Sequence, residues 1–166
     1  GDYHSSWRAM ETLLQAGRVR AIGVCNFLPD RLVDLILTHS VVPAVNQIEL
    51  HPFCQQQALR QVMAAYHIQP MAWQGNLFHH PVLSAIGQAH GKTPAQVVLR
   101  WLRQEGIVSI PKSVHPQRIR ENWDIEDFTL SPGELTQIRA LDQNRSWILD
   151  VPNLTEVYRL HNIPVS

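Results

Sequence analysis

The stretch Ile110-Pro111-Lys112-Ser113-Val114-His115-Pro116-Gln117-Arg118-Ile119-Arg120-Glu121-Asn122 sets a cation and a hydroxyl just after an apolar run, with a second cation five residues past Ser113. The run from Gly106 to Ile110 stops at Pro111. Pro116 suits the first turn of a helix, where its missing N–H would be unpaired in any case. A helix N-terminus presents free N–H groups and a partial positive charge, so Lys112, Ser113 and Arg118 around one compose a phosphate site. A solvated Lys and Arg beside an ordinary strand-to-helix turn explain the same residues. The neighbours of this segment must decide between the two.

Asn26 and Gln47 are amides that each donate and accept, so together they can hold a carboxamide by complementary hydrogen bonds. Trp73 offers a flat face for stacking an aromatic ring. Each has a plainer role available. Asn26 can cap the helix opened by Pro29, Gln47 can satisfy buried backbone, and Trp73 can be core. Cys25 reads as a small packing residue, since no base is identifiable beside it.

The elements that must position these residues follow from the hydrophobic pattern. Helical spacing of Trp7, Met10, Leu13 and Leu14 predicts a helix over 6–15, with Ser5 or Ser6 as N-cap and Gly17 as its stop. Val19–Val24 reads as a buried strand, and Pro29 opens a second helix carrying Leu32, Leu35 and Ile36. A second strand covers 44–50, a helix 55–66, and a third strand 68–73. Pro81 begins a helix running to Gly91. Thr93 caps the next, with Pro94 at its first position, Val97, Val98, Trp101 and Leu102 inward, and Gly106 as stop. Ile107–Ile110 is the fourth strand. Ser131-Pro132-Gly133-Glu134 forms a capping box for a helix carrying Leu135, Ile138 and Leu141. Residues 143–166 read as an irregular C-terminal tail, and 1–166 as one domain.

Strands that are continuous apolar runs alternating with helices predict an α/β fold with a parallel sheet. A flavodoxin-like or Rossmann sheet and a piece of a (β/α)8 barrel both satisfy the pattern. In either, the C-terminal strand ends lie on one side, where ligands bind. Cys25-Asn26, Gln47, Trp73 and Lys112-Ser113 all fall at such ends. A carboxamide-bearing ring at one end of the rim and a phosphate at the other describe a nicotinamide dinucleotide. No Gly-x-Gly-x-x-Gly follows any strand, so a Rossmann phosphate loop is not supported.

The bulk numbers narrow the classes. Fourteen basic and fourteen acidic residues cancel in 166, so no bulk attraction to nucleic acid or anionic membrane is expected. The two cysteines, Cys25 and Cys54, lack metal spacing and favour a reducing compartment. The scattered histidines give no metal-ligand pattern. Neither a signal peptide nor an apolar run long enough to span a bilayer is visible, so a cytoplasmic location is expected.

Three motifs, residues 17–27, Asn46-Gln47-Ile48-Glu49-Leu50-His51-Pro52, and Ile110-Pro111-Lys112-Ser113 with Arg118 and Glu121-Asn122, resemble the aldo-keto reductase family. The resemblance runs nearly end to end and is closer to the bacterial branch acting on 2,5-diketo-gluconate and small aldehydes. It implies a (β/α)8 TIM barrel using NADPH to reduce small aldehydes and ketones. By it, Cys25 (more often Ser in the family), Asn26 and Gln47 would hold the nicotinamide carboxamide, and Trp73 would stack on the ring. Lys112, Ser113 and Arg118, with Val114 in the same loop, would hold the adenosine 2′-phosphate end, and Glu121 and Asn122 would meet the adenine.

The chain would supply the second half of that barrel, strands five to eight. The family's catalytic Asp, Tyr, Lys and His belong to the first half and have no counterpart, so no catalytic residue is assigned and Tyr3 and His4 are not given those roles. The first half is expected in the parent chain or a partner. The isolated chain is expected to be inactive, the alternative being an NADPH-binding, non-catalytic relative. The loop after Trp73 looks shortened, since Trp73 runs straight into Gln74-Gly75-Asn76. By the same resemblance Trp147 and Tyr158 of the tail would line the substrate pocket.

Overall fold

Four parallel strands form one sheet whose spatial order, β1-β2-β3-β4, is their order in the chain. They are β1 (Val24–Cys25), β2 (Val45–Glu49), β3 (Gln69–Trp73) and β4 (Val108–Ser109). The computed structural model describes residues 2–73, 80–147 and 153–162. A doubly wound sheet reverses its strand order to put helices on both faces. This sheet has no reversal, and the helices carrying Leu32, Leu59, Leu83, Val97 and Ile138 share one core against one face. That decides between the two architectures in favour of singly wound, barrel-like topology.

Side chains alternate between the two faces of each strand. On the helix side, Ile48 and Ala72 pack with Leu32 of α2 (Pro29–Thr38), Leu59 and Met63 of α3 (Gln57–Ala65) and Leu83 and Ile86 of α4 (Pro81–His90). Val97, Val98, Trp101 and Leu102 of α5 (Pro94–Gln104) and Ile138 of α7 (Pro132–Arg139) join the same core. Each such aliphatic side chain contributes roughly 1.5–3 kcal/mol of burial. On the opposite face the register sets Cys25, Gln47, Met71 and Val108 in one cross-strand row. None of these four belongs to the core, and Val108 is exposed.

Local signals explain most element ends. Thr93–Gln96 and Ser131–Glu134 both close as capping boxes with proline in the first turn. Gly17, Gly91 and Gly106 take the left-handed conformation that ends helices cheaply. The first helix, α1 (Tyr3–Gln15), starts earlier than the spacing predicts. Asp2, not Ser5 or Ser6, is its cap, accepting from the His4 N–H at 3.0 Å. Trp7 of α1 is buried against Ile22 and Leu35, its indole donating to the Val41 carbonyl at 3.2 Å.

Two strands are shorter than their apolar runs. Of Val19–Val24, only Val24 joins the ladder, and of Ile107–Ile110, only Val108 and Ser109. Each is an edge strand with one neighbour, so the ladder persists only where that neighbour is in register. Ile22 still accepts from the Ala44 N–H at 2.8 Å as the chain approaches β1. The tail is not wholly irregular, because α8 (Leu154–His161) is helical. Asn153 accepts from the Thr155 N–H at 3.0 Å, and Leu154, Val157 and Tyr158 fall at helical spacing on an exposed stripe. The remaining helix, α6 (Pro116–Trp123), follows β4 as its proline predicts and buries no residue.

Candidate cofactor-binding rim

The chain leaves β1 through Asn26, whose φ of 57° is a left-handed value that Asn tolerates better than most residues. Its N–H bonds the Gln47 carbonyl at 2.9 Å, extending the ladder by one residue. The next residue is held from below by Asn46. This fully buried side chain donates to the Phe27 carbonyl at 2.8 Å and accepts from the Phe27 N–H at 3.4 Å. Asn46 thus fixes the loop that presents Asn26. It was not singled out from sequence, although a polar residue on the helix-facing side of a strand, beside Ile48, is the signal that marks it.

Cys25, Asn26, Gln47 and Trp73 meet on the face away from the helices. Gln47 lies between two sulfurs, with Cys25 Sγ 3.6 Å from its Oε1 and Met71 Sδ 3.6 Å from its Nε2. The Trp73 indole donates to Asn26 Oδ1 at 3.4 Å. Sulfur is a weak partner, and the indole contact is long, so both amides keep most of their bonding capacity. Asn26 Nδ2 can donate to a carboxamide oxygen while Gln47 Oε1 accepts from its NH2. Trp73 beside them supplies a stacking surface. The donor set fits a nicotinamide carboxamide. Burial pushes the Cys25 thiol up, which leaves it a protonated donor rather than a nucleophile.

At the other end, the Ser113 hydroxyl accepts from the His115 N–H at 3.1 Å and closes the turn into α6. His115 gives α6 no side-chain cap, so the first N–H groups of that helix stay open. Lys112 and Arg118 are exposed, and neither pairs with a described residue, whereas Lys92, Arg60, Arg100 and Arg103 all sit on carboxylates. Val114 is 70% exposed, so its apolar surface is open to a ligand. Glu121 accepts from Gln117 at 2.9 Å, and Asn122 lies half-buried beside it. No bond among the described residues links this group to the one around Gln47. β3 and β4 are parallel neighbours, so both groups follow strand ends on the same side of the sheet.

Tyr3 and His4 are engaged elsewhere. Tyr3 donates to Asp34 at 2.5 Å, and His4 lies 3.0 Å from His39, which contacts Glu11. Among the described residues no group of three or more His, Cys, Asp or Glu side chains is placed to hold a metal. No described helix is long and apolar enough to cross a membrane. The expected shortened loop at Gln74-Gly75-Asn76 lies outside the described residues.

A carboxylate that sequence reading left without a role closes the rim. Glu49, 3% exposed and opposite Trp73 in register, accepts from His51 Nε2 at 3.0 Å, from the Trp147 N–H at 2.9 Å and from the Ser146 hydroxyl. Burial pushes its carboxyl up, but the bonds from Ser146, Trp147 and His51 outweigh that and hold it below the usual range. Burial also pushes His51 down, with Glu49 opposing, so the imidazole is neutral.

Singly wound α/β topology, with its core helices packed against one face of a parallel sheet, defines a barrel-type α/β protein. The profile of the Aldo/keto reductase family matches residues 2–76 and 73–143, the two segments meeting where the short loop was expected. An aldo-keto reductase of Mycolicibacterium smegmatis is 48% identical over 144 residues, covering 84% of this chain and 52% of its own. The methylglyoxal reductase DkgA of Escherichia coli is 44% identical over 149 residues, with 86% and 54% covered. The crystal structure of apo Gox0644 superposes with a TM-score of 0.83 at 39% identity over 87% of this chain and 55% of that one. A mutant of Gox0644 solved in complex with NADPH matches at the same score. The chain belongs to the aldo-keto reductase family. It spans about half the length of the relatives it matches.

Proposed function

We propose that this chain is the cofactor-holding half of an NADPH-dependent carbonyl reductase, strands five to eight of a (β/α)8 barrel. The observation that carries the reading is the pair of under-used amides, Asn26 and Gln47, beside Trp73 on the uncovered sheet face. NADPH supplies a hydride to an aldehyde or ketone carbon. The part of this chain is to orient the ring so that one face meets the substrate. Asn26 and Gln47 fix the carboxamide, Trp73 backs the other face, and Lys112 and Arg118 take the 2′-phosphate. Val114, Glu121 and Asn122 complete the adenosine end. Proton delivery to the substrate oxygen falls to residues outside this chain, so the chain by itself binds and does not turn over.

The uncovered face and the single-neighbour strands β1 and β4 support a missing half. So do Ile119 and Trp123 of α6, which are 53% and 87% exposed on one side of that helix. A second copy of this chain is a poor substitute. In a closed barrel one helix occupies the space between β4 and the next strand, and both α6 of one copy and α1 of the other would claim it. Mixing the chain with the N-terminal half of a relative such as DkgA tests the proposal. Carbonyl-dependent NADPH oxidation should appear only in the mixture. A mixture that forms a stable complex and binds NADPH yet shows no oxidation would support a binding-only role instead.

A further inference from the structure

Glu49 lies two residues beyond Gln47 on the same face of β2, buried at the edge of the candidate cofactor rim. A buried carboxylate there invites a role as a general acid or base. Its bonding argues against that. Both oxygens accept hydrogen bonds, from His51, Ser146 and Trp147, and the group stays ionised, so it has no proton to give and its oxygens are engaged by the chain itself. What the carboxylate does hold is a distant part of the chain, 97 residues on in sequence for Ser146.

The rest of the loop after β2 grips the same segment. The Gln143 N–H bonds the Phe53 carbonyl at 2.9 Å, and the Gln55 N–H bonds Asp142 Oδ1 at 3.1 Å. The Gln55 amide donates to the Ile138 carbonyl at 2.9 Å. These contacts bring the segment in, and Glu49 fixes its last residues. Trp147 is then stacked on Phe53, with ring centroids 5.1 Å apart and planes 19° from parallel, and lies 5.2 Å from the His51 ring. The Phe53 ring in turn meets His80 edge-on at 5.2 Å. Glu49 is opposite Trp73 in register, so the latch sits at the same strand ends as Trp73.

We infer that Glu49 is a positioning residue: its carboxylate latches Ser146 and Trp147 onto the end of β2, so that Trp147, backed by the buried Phe53 ring, is held as an aromatic side of the cleft at the strand ends where Trp73 lies. The cleft is the one read above as the NADPH site, and the inference rests on that reading for the meaning of the cleft. The latch itself does not depend on any cofactor.

Arg145, exposed and adjacent to Ser146, gives a direct readout, because trypsin cuts after it only when the segment leaves its seat. Arg18, exposed in the turn after α1, is the internal reference. In Glu49→Gln, cleavage after Arg145 should accelerate about tenfold, equivalent to about 1.4 kcal/mol of latch, with the rate after Arg18 unchanged. Trp147→Ala, altered on the tail side only, should do the same and covers the case in which Glu49→Gln does not fold. Unchanged cleavage after Arg145, or equal acceleration at both arginines, overturns the latch. NADPH affinity measured in parallel should fall no further in Glu49→Gln than in Trp147→Ala, since both release the same segment. A loss in Glu49→Gln well beyond that of Trp147→Ala would make Glu49 part of the cofactor site and overturn its assignment as a latch. Wild-type protein that protects Arg145 but binds no NADPH would sink the cofactor reading and leave the latch standing.

Discussion

Asn46→Ala is the sharpest test of how the rim is built. The substitution removes the 2.8 Å bond to the Phe27 carbonyl and the 3.4 Å bond from the Phe27 N–H, at a position with no solvent access. A buried polar group left without its partner costs about 1–3 kcal/mol, and the shorter bond dominates, so the expected loss is about 2 kcal/mol. For a chain of this size that lowers the thermal midpoint by roughly 4–8 °C. Asn46→Asp should be worse, because it sets a carboxylate against the Phe27 carbonyl with no cation near. Thermal unfolding followed by circular dichroism gives the midpoint, and NADPH affinity measured well below it should fall too, since Asn26 is no longer held. An alanine variant within about 0.5 kcal/mol of wild type, the range of an ordinary surface change, would refute the role of Asn46 in fixing the loop.

Other outcomes follow from the same geometry. Lys112→Ala and Arg118→Ala should each weaken NADPH binding about 10- to 100-fold, the size of a charge-assisted hydrogen bond, and leave NADH nearly unaffected; equal losses for both cofactors would assign the cations elsewhere. Because His51 is held below its ordinary 6.5, the unfolded chain takes up a proton as pH drops through that value that the folded protein refuses, so stability falls on acidification. Glu49, held below its ordinary 4.5, adds a second loss below that pH. The thermal midpoint should therefore decline between pH 7 and 5 and more steeply below about 4.5, and His51→Asn should shrink the first part; an identical decline in the variant would contradict the assignment. Gly23→Ala would put a Cβ 2.5 Å from Val45 Cγ2 and 2.7 Å from the Val45 carbonyl, so β1 must move away from β2. Overpacking of that kind costs about 1–3 kcal/mol, read as a lower urea midpoint, and an unchanged midpoint would show that β1 has room to give.

Two helix caps were readable in the sequence because their determinants are local, whereas the cap of α1 fell at Asp2 rather than at the serines. Thr93-Pro94 with Gln96, and Ser131-Pro132 with Glu134, specify their own turns within four residues. The amide pair and Trp73 were readable because each ends an apolar run, and a parallel sheet gathers such ends on one side. Strand length was not, because it depends on neighbours. Val19 to Gly23 is apolar enough for a strand but lies outside the ladder at the sheet edge. Glu49 escaped assignment for a related reason. Its partners Ser146 and Trp147 are nearly a hundred residues away, and no local pattern around Glu49 points to them.

The central claim is that Asn26, Gln47 and Trp73 receive a nicotinamide ring while Lys112 and Arg118 receive a phosphate. Titrating NADPH into the folded protein while following tryptophan fluorescence tests it most directly, with Trp73→Phe as the paired variant. The account predicts saturable quenching in the wild type, most of it lost in Trp73→Phe, and weaker binding of NADH than of NADPH. Folded protein that shows no saturable response to NADPH, or the same response with and without Trp73, would contradict it.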